Sequence, residues 1–122
     1  MSAHVPPGWP EHVPPPGHPG WQHHAAAWLL DLCPPDYRGH AVLRRYEIVL
    51  ARLAAHHVEA SLEGIARAVA TLRADLADAV PASAVEEALE ALDAERARLL
   101  RARRGVALVE QALGGQRYVP RL

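Results

Sequence analysis

The eight histidines are the residues of this chain with the most obvious potential for chemistry. Imidazole is a common metal ligand, and the pairs His23–His24 and His56–His57 invite a metal-binding interpretation. His56 also shares a predicted helix face with Glu59 and Glu63. A carboxylate-bridged metal pair needs matching ligands on a facing helix, however, and the second long helix predicted below contains no histidine. We therefore expect neither a metal site nor a cofactor.

The remaining polar residues do not indicate a catalytic site either. Cys33 stands alone at a predicted helix end before two prolines, so we predict a buried structural thiol rather than a nucleophile. We expect His56 or His57 to hydrogen-bond toward Glu110 or Gln111. The chain contains no glycine-rich phosphate loop, no Ser/His/Asp order and no zinc-ligand spacing. We predict no catalytic residues and expect that the protein is not an enzyme.

The distribution of charge is more informative than the histidines. Residues 68–95 contain seven acidic residues and one arginine, whereas the rest of the chain contains twelve arginines and seven acidic residues. The candidate partner-binding arginines lie outside the acidic stretch: Arg44, Arg45, Arg52, Arg98, Arg101, Arg103 and Arg104. A contact with phosphate or nucleic acid could use the arginines of the second long helix, namely Arg96, Arg98, Arg101, Arg103 and Arg104. We prefer a solvated face with intrahelical pairs such as Asp93–Arg96 and Glu95–Arg98, because the sequence shows no recognition-helix motif.

Two long helices must position these side chains. From Val58 to Leu76 apolar residues recur at alternating steps of four and three, and from Val85 to Leu113 they recur every seven residues. Both patterns are typical of packed helices. Pro81 ends the first helix, and Ser83 with Glu86 predicts a capping box that begins the second.

We predict these long helices at about 41–79 and about 83–113, folded into an antiparallel hairpin. The two apolar stripes then match in register through the pairs Leu72–Leu92, Ile65–Leu99 and Val58–Val106. Antiparallel packing makes the bend of the hairpin acidic and its open end basic. A two-helix hairpin buries little apolar surface for its length, so we expect self-association, tip against open end, or a captured helical partner.

Residues 1–20 contain most of the eleven prolines, which predicts an extended, polyproline-like arm. Trp9 and Trp21 allow two interpretations of this arm. It can bind an aromatic groove on another protein, which makes both tryptophans candidate partner-binding residues. Alternatively, the tryptophans strap the arm onto the chain's own helices. We prefer the strap because disordered arms rarely expose two tryptophans.

A short helix is predicted at 22–33, where Trp28, Leu29 and Leu32 form an apolar face. The stretch 42–53 is apolar nearly all round, which predicts that it is buried on more than one side. These two features place the short helix against the open end of the hairpin, in a small three-helix core.

Composition excludes several function classes. A formal net charge of −1 argues against wholesale affinity for nucleic acid or a membrane surface. The single cysteine excludes an internal disulfide framework and is typical of a reducing compartment. No signal peptide and no run of apolar residues long enough to span a membrane is present in the sequence. We expect a soluble, cytoplasmic protein.

Three features together carry a resemblance to other proteins. They are the Pro/Trp-rich arm, the run from Trp28 to Arg38 (WLLDLCPPDYR) and the Ala/Arg/Leu-rich hairpin. In these features the chain resembles a group of small conserved hypothetical proteins of high-GC actinobacteria. All basic residues other than histidine are arginine, which agrees with a GC-rich coding sequence. The resemblance implies a source and carries no activity.

These observations predict an all-α fold: a long, coiled-coil-like antiparallel helical hairpin with a short N-terminal helix and an extended Pro/Trp-rich arm. The expected organisation is an arm at 1–20, a helical domain at 21–115 and a C-terminal tail at 116–122. We expect a non-enzymatic protein–protein interaction or assembly module that forms a homodimer or binds another helical protein. The alternative is a nucleic-acid-binding accessory protein that uses the C-terminal arginine cluster. A membrane partner is not expected.

Overall fold

A computed structural model describes residues 5–115 of the chain. Its α-helices are α1 (Trp21–Asp31), α2 (Ala41–Arg45), α3 (Glu47–Asp75) and α4 (Ala82–Leu113), with a short 3-10 helix at Pro35–Gly39. Helices α3 and α4 pack antiparallel, and residues 5–115 contain no strand. The predicted all-α fold, with its long hairpin and short N-terminal helix, is confirmed. The predicted C-terminal tail at 116–122 lies outside the described residues.

Ion pairs and apolar contacts agree with the predicted register of the hairpin. Three ion pairs bridge α3 and α4 from the open end to the tip: Arg52–Glu110, Glu59–Arg103 and Arg73–Glu86. Ile65 and Leu99, which were predicted to face each other, lie in one buried cluster. Because the side chains of each helix repeat with a fixed period, one correct pair sets the others along the hairpin.

The structure divides the predicted helix at 41–79 into α2 and α3. Tyr46 leaves helical geometry with φ −126° and ψ 83°, and α3 ends at Asp75. No glycine or proline marks the break. The Tyr46 N–H still donates to the Val42 carbonyl at 3.0 Å, so the helical spacing of apolar residues continues across it. The periodicity therefore could not reveal the interruption.

The capping box predicted for the second long helix is wrong. Helix α4 begins at Ala82, one residue before the predicted cap, and no side chain caps it. Pro81 occupies the N-cap position with extended geometry, and its carbonyl accepts the Ala84 N–H at 3.0 Å. Ser83 therefore lies inside the first helical turn, where its hydroxyl cannot act as an N-cap.

The arm folds as a series of turns rather than as one extended segment. The Trp9 N–H donates to the Pro6 carbonyl at 3.0 Å, and the His18 N–H donates to the Pro15 carbonyl at 3.1 Å. In each turn a proline is followed by a glycine with positive φ, which is the pattern of a type II turn. The repeated Pro-Gly dipeptide was the signal for these turns, and the high proline content obscured it.

The open end of the hairpin contains the larger core. The arm, α1, α3 and α4 all contribute buried side chains, as the predicted three-helix core required. The most buried are Ala25, Leu29, Leu50, Ala51, Ala54 and Val109. Trp9, Val13 and Trp21 join the same cluster from the arm and the start of α1. We call residues 5–65 and 99–115 the proximal half of the molecule.

The tip of the hairpin, residues 66–98, forms the distal half and is much less buried. Val85 is its only buried residue. The leucines between the two helices are half-buried: Leu72, Leu76, Leu89 and Leu92. Val69 and Val80 are 45% and 40% exposed. An open pocket of about 250 Å³ lies between Leu76, Val80 and Val85 at the tip.

One predicted burial is absent. Large apolar side chains of the stretch 42–53 remain exposed to solvent, namely Val42 (43%), Tyr46 (56%), Ile48 (41%) and Val49 (41%). We call these four residues the α2–α3 apolar patch. Burial on more than one side was predicted because the stretch is apolar all round, but α1 and α4 cover only its inner face, through Leu43 and Leu50.

Candidate functional site

A groove lies between the arm and α4. It has a volume of about 810 Å³, which lies in the range of ligand-binding clefts. The groove, which we call the arm groove, is lined by Gly8–His12, Trp28, Leu32, Arg98, Leu100, Arg101, Ala102, Arg104 and Gly105. An apolar floor and a rim of arginines make it suited to a partner that is both apolar and acidic.

Gly105 determines how closely the walls of this groove approach. A Cβ atom at this buried position would lie 2.9 Å from Cη2 of Trp28 and 3.1 Å from Cγ of Pro10. Both distances are shorter than ordinary contacts, so a side chain here would push α1 and the arm away from α4. A glycine in a helix interior costs about 1 kcal/mol relative to alanine. At Gly105 that cost permits the close packing of Trp28 and Pro10.

Three of the predicted arginines meet at the arm groove: Arg98, Arg101 and Arg104. Arg98 also bonds to Glu95 one turn earlier, with Nε 2.9 Å from Oε2. That hydrogen bond lowers the pKa of Glu95 and raises the pKa of Arg98. This pair was predicted, whereas the predicted Asp93–Arg96 pair does not form. Arg101 and Arg104 form no ion pair within residues 5–115.

Two other arginines of the predicted set lie between α3 and α4 instead. Arg103 pairs with Glu59 at 3.3 Å. Arg52 holds Glu110 with both ends of its guanidinium, and this hydrogen bond raises the pKa of Arg52. Neither His56 nor His57 forms the predicted hydrogen bond to Glu110 or Gln111 within residues 5–115, and the Glu110 carboxylate accepts from Arg52 instead. These two arginines connect α3 and α4 through ion pairs and do not form a cluster.

The last two predicted arginines lie beside the α2–α3 apolar patch. Arg44 donates to the backbone carbonyl of Arg38. The guanidinium carbon of Arg45 lies 5.9 Å from the centre of the Tyr46 ring, within the range of a cation–π contact. The seven arginines predicted at the open end therefore occupy three separate places, and only the groove brings three of them together.

Trp9 and Trp21, the other predicted partner-binding residues, pack inside the molecule. Their side chains are 9% and 6% exposed, and their ring centres are 5.8 Å apart. The Trp9 indole N–H donates to the Val13 carbonyl at 2.9 Å. This geometry supports the strap interpretation, since both rings are covered by the chain itself.

The Cys33 thiol is buried in the proximal half, and its burial raises its pKa. Arg38 opposes this effect only in part. A raised pKa keeps the thiol protonated and poorly nucleophilic, in agreement with the predicted structural role.

Within residues 5–115, no group of three His, Cys, Asp or Glu side chains could hold a metal ion. None of the helices in this part of the chain is both long and apolar enough to cross a membrane.

Sequence reasoning missed the residues that give the groove its apolar floor. Trp28 and Leu32 were assigned to the core, and Pro10 to an extended arm, so none was placed beside the arginines. One signal was available in Gly105, because an isolated glycine in a helical pattern often has a packing reason.

Comparison with protein families, with curated proteins and with solved structures found no match for this chain.

Proposed function

We propose that this chain is a non-enzymatic protein–protein interaction or assembly module whose distal half packs against another helical chain, most simply a second copy of itself. One observation carries the proposal: residues 66–98 bury a single side chain, although α3 and α4 both continue into this half as regular helices. We place the module in the cytoplasm, because its one cysteine is a free thiol in the core.

The two halves differ in the stabilisation that burial of their leucines provides. Fully burying a leucine contributes about 1.5–3 kcal/mol, so four half-buried leucines leave much of that contribution unused. Helices in proteins owe most of their stability to the packing of one face rather than to intrinsic propensity. A partner that covers Leu72, Leu76, Leu89 and Leu92 would therefore stabilise the distal half. The open pocket at the tip supports the same conclusion.

The first experiment combines solution mass by light scattering with hydrogen exchange, each measured at micromolar and near-millimolar protein. We expect a dimer whose distal amides exchange more slowly as concentration rises, while the proximal amides do not change. A monomer with rapidly exchanging distal amides would mean that a different helical protein, and not a second copy, covers the distal half. A monomer whose distal amides are as protected as the proximal ones would contradict the proposal, since that half would need no partner.

A second candidate function, nucleic-acid binding, is favoured by one feature of the fold. The arm groove brings Arg98, Arg101 and Arg104 next to Trp28, although no aromatic residue lies near these arginines in the sequence. Arginines beside an aromatic ring can bind phosphate and stack a base. Glu11 lines the same groove and opposes this use.

Binding of single-stranded DNA or RNA, followed by fluorescence anisotropy at about 50 mM salt, tests this candidate because phosphate contacts are strongest at low salt. If the arm groove binds nucleic acid, the affinity should fall as the salt concentration rises. The variant Arg101→Glu/Arg104→Glu should not bind. No binding at this salt would eliminate the candidate.

A further inference from the structure

The outer face of α4 carries a symmetric arrangement of charge. Its residues are spaced three, four, four and three apart, so they share one side of the helix: Glu87, Glu90, Ala94, Arg98 and Arg101. All five are exposed. The stretch spans about 21 Å at 1.5 Å per residue. Its two acids lie toward the tip, its two arginines lie toward the open end, and Ala94 is at the centre.

An antiparallel copy of the same face has the complementary order of charge. With the two-fold axis at Ala94, Glu87 lies opposite Arg101 of the second copy and Glu90 lies opposite Arg98 of the second copy. Each pair occurs twice because the interface is isologous. We infer that two chains associate antiparallel through this face of α4, with four ion pairs across the interface. This inference rests on the proposed assembly function and names a second copy of the chain as the partner.

The charges on this face are available for such pairs. Glu87, Glu90 and Arg101 form no ion pair within residues 5–115. Arg98 forms an ion pair with Glu95 of its own helix, and its side chain remains 52% exposed. A parallel arrangement would place acids opposite acids and arginines opposite arginines. The same face therefore selects the antiparallel orientation by repulsion as well as by attraction.

Charge reversal tests this interface. Arg98→Glu/Arg101→Glu makes the face wholly acidic, and Glu87→Arg/Glu90→Arg makes it wholly basic. Because each variant turns four attractive pairs into four repulsive ones, we expect either variant alone to dimerise at least about 100-fold more weakly than the wild type. An equimolar mixture should form a one-to-one heterodimer, since acidic and basic faces attract. Light scattering measures the mass, and native mass spectrometry identifies the mixed species.

The matched control is Arg67→Glu/Arg96→Glu, which makes the same change of net charge at two exposed arginines outside this face that form no ion pair within residues 5–115. It should dimerise as the wild type does, and circular dichroism checks that every variant stays helical. A wild-type dimer that survives both charge reversals would overturn the α4 interface and leave the assembly function standing. A wild-type monomer with weakly protected distal amides would also overturn self-pairing, with a different helical protein as the remaining partner. A monomer with protected distal amides would overturn both.

Discussion

The two halves of the hairpin are built from the same two helices, yet only one of them has a complete core. In the proximal half, α1 and the strapped arm cover α3 and α4, and Leu29 and Leu50 are fully buried. In the distal half nothing covers the hairpin within residues 5–115, and only Val85 is buried. The difference lies in what packs on the helices, since both halves share their regular helical structure.

This comparison shows how a short chain can stabilise a long hairpin at one end only. The arm takes the place of a further helix, because Trp9 and Trp21 provide large apolar surfaces from an otherwise turn-rich segment. The other half keeps its leucines half-buried and most of its charged side chains exposed, which is the composition of an interface as well as of a solvated helix.

The largest expected effect compares matched leucines in the two halves. Leu29→Ala removes a fully buried side chain and should lower the free energy of unfolding by about 3–5 kcal/mol. Leu92→Ala removes a half-buried side chain and should cost about 1 kcal/mol in the monomer. Urea unfolding at micromolar protein measures both values. Equal losses would mean that the distal half is packed as well as the proximal half.

The next prediction concerns the strap. Trp9→Ala removes a buried indole and its hydrogen bond to the Val13 carbonyl, so we expect a loss of about 2–4 kcal/mol. Val5→Ala is the control, because Val5 is 47% exposed at the start of the described arm. It should change stability by less than about 0.5 kcal/mol. Unchanged stability in Trp9→Ala would show that the arm does not support the proximal core.

Two helical glycines, one in crowded surroundings and one in open space, should give changes in stability of intermediate size. Gly105→Ala places a Cβ 2.9 Å from the Trp28 ring, and we expect a net loss of about 1–2 kcal/mol despite the higher helix propensity of alanine. Gly64→Ala meets no atom within 4 Å in α3 and should gain about 0.5–1 kcal/mol. Thermal unfolding of the two variants decides the point. A gain at both positions would show that the contact between Trp28 and α4 is looser than described.

The smallest expected effect is the pH dependence of the Glu95–Arg98 pair. The hydrogen bond from Arg98 lowers the pKa of Glu95 in the folded state. The pair therefore stabilises the fold above the unfolded pKa of a glutamate, and this contribution is lost as the pH falls through the lower folded pKa. Because the pair is exposed, the contribution should stay below about 0.5 kcal/mol. Glu95→Gln should lose slightly less stability than the wild type on acidification, measured by thermal unfolding, and a larger loss would contradict the assignment.

Much of the fold could be predicted from the sequence because it is encoded locally. Apolar periods of three, four and seven residues indicated both long helices, and the bend followed from Pro81. The break at Tyr46 had no local signal, since the helical hydrogen bond to Val42 persists through it. The turns of the arm had a signal in their Pro-Gly dipeptides, but proline content alone pointed to an extended chain.

The candidate site was predicted only in part. The charge count indicated a basic open end, and three of its arginines do meet at the arm groove. The predicted register already brought Arg52 level with Glu110 and Arg103 level with Glu59, but the charge count alone did not show that these arginines pair across the hairpin. Which side of α4 each arginine occupies depends on where α1 and the arm pack.

The sequence by itself determined that this protein is a helical hairpin with an acidic tip and a basic open end, because helix period, proline and charge are local properties of the chain. The apolar pattern also placed the short helix at the open end of the hairpin. Only the tertiary structure decided where the arginines separate and how the arm groove forms. The physical reason is that these features depend on contacts between residues distant in sequence. Gly105, Trp28 and Pro10 meet only after the arm, α1 and α4 have packed together.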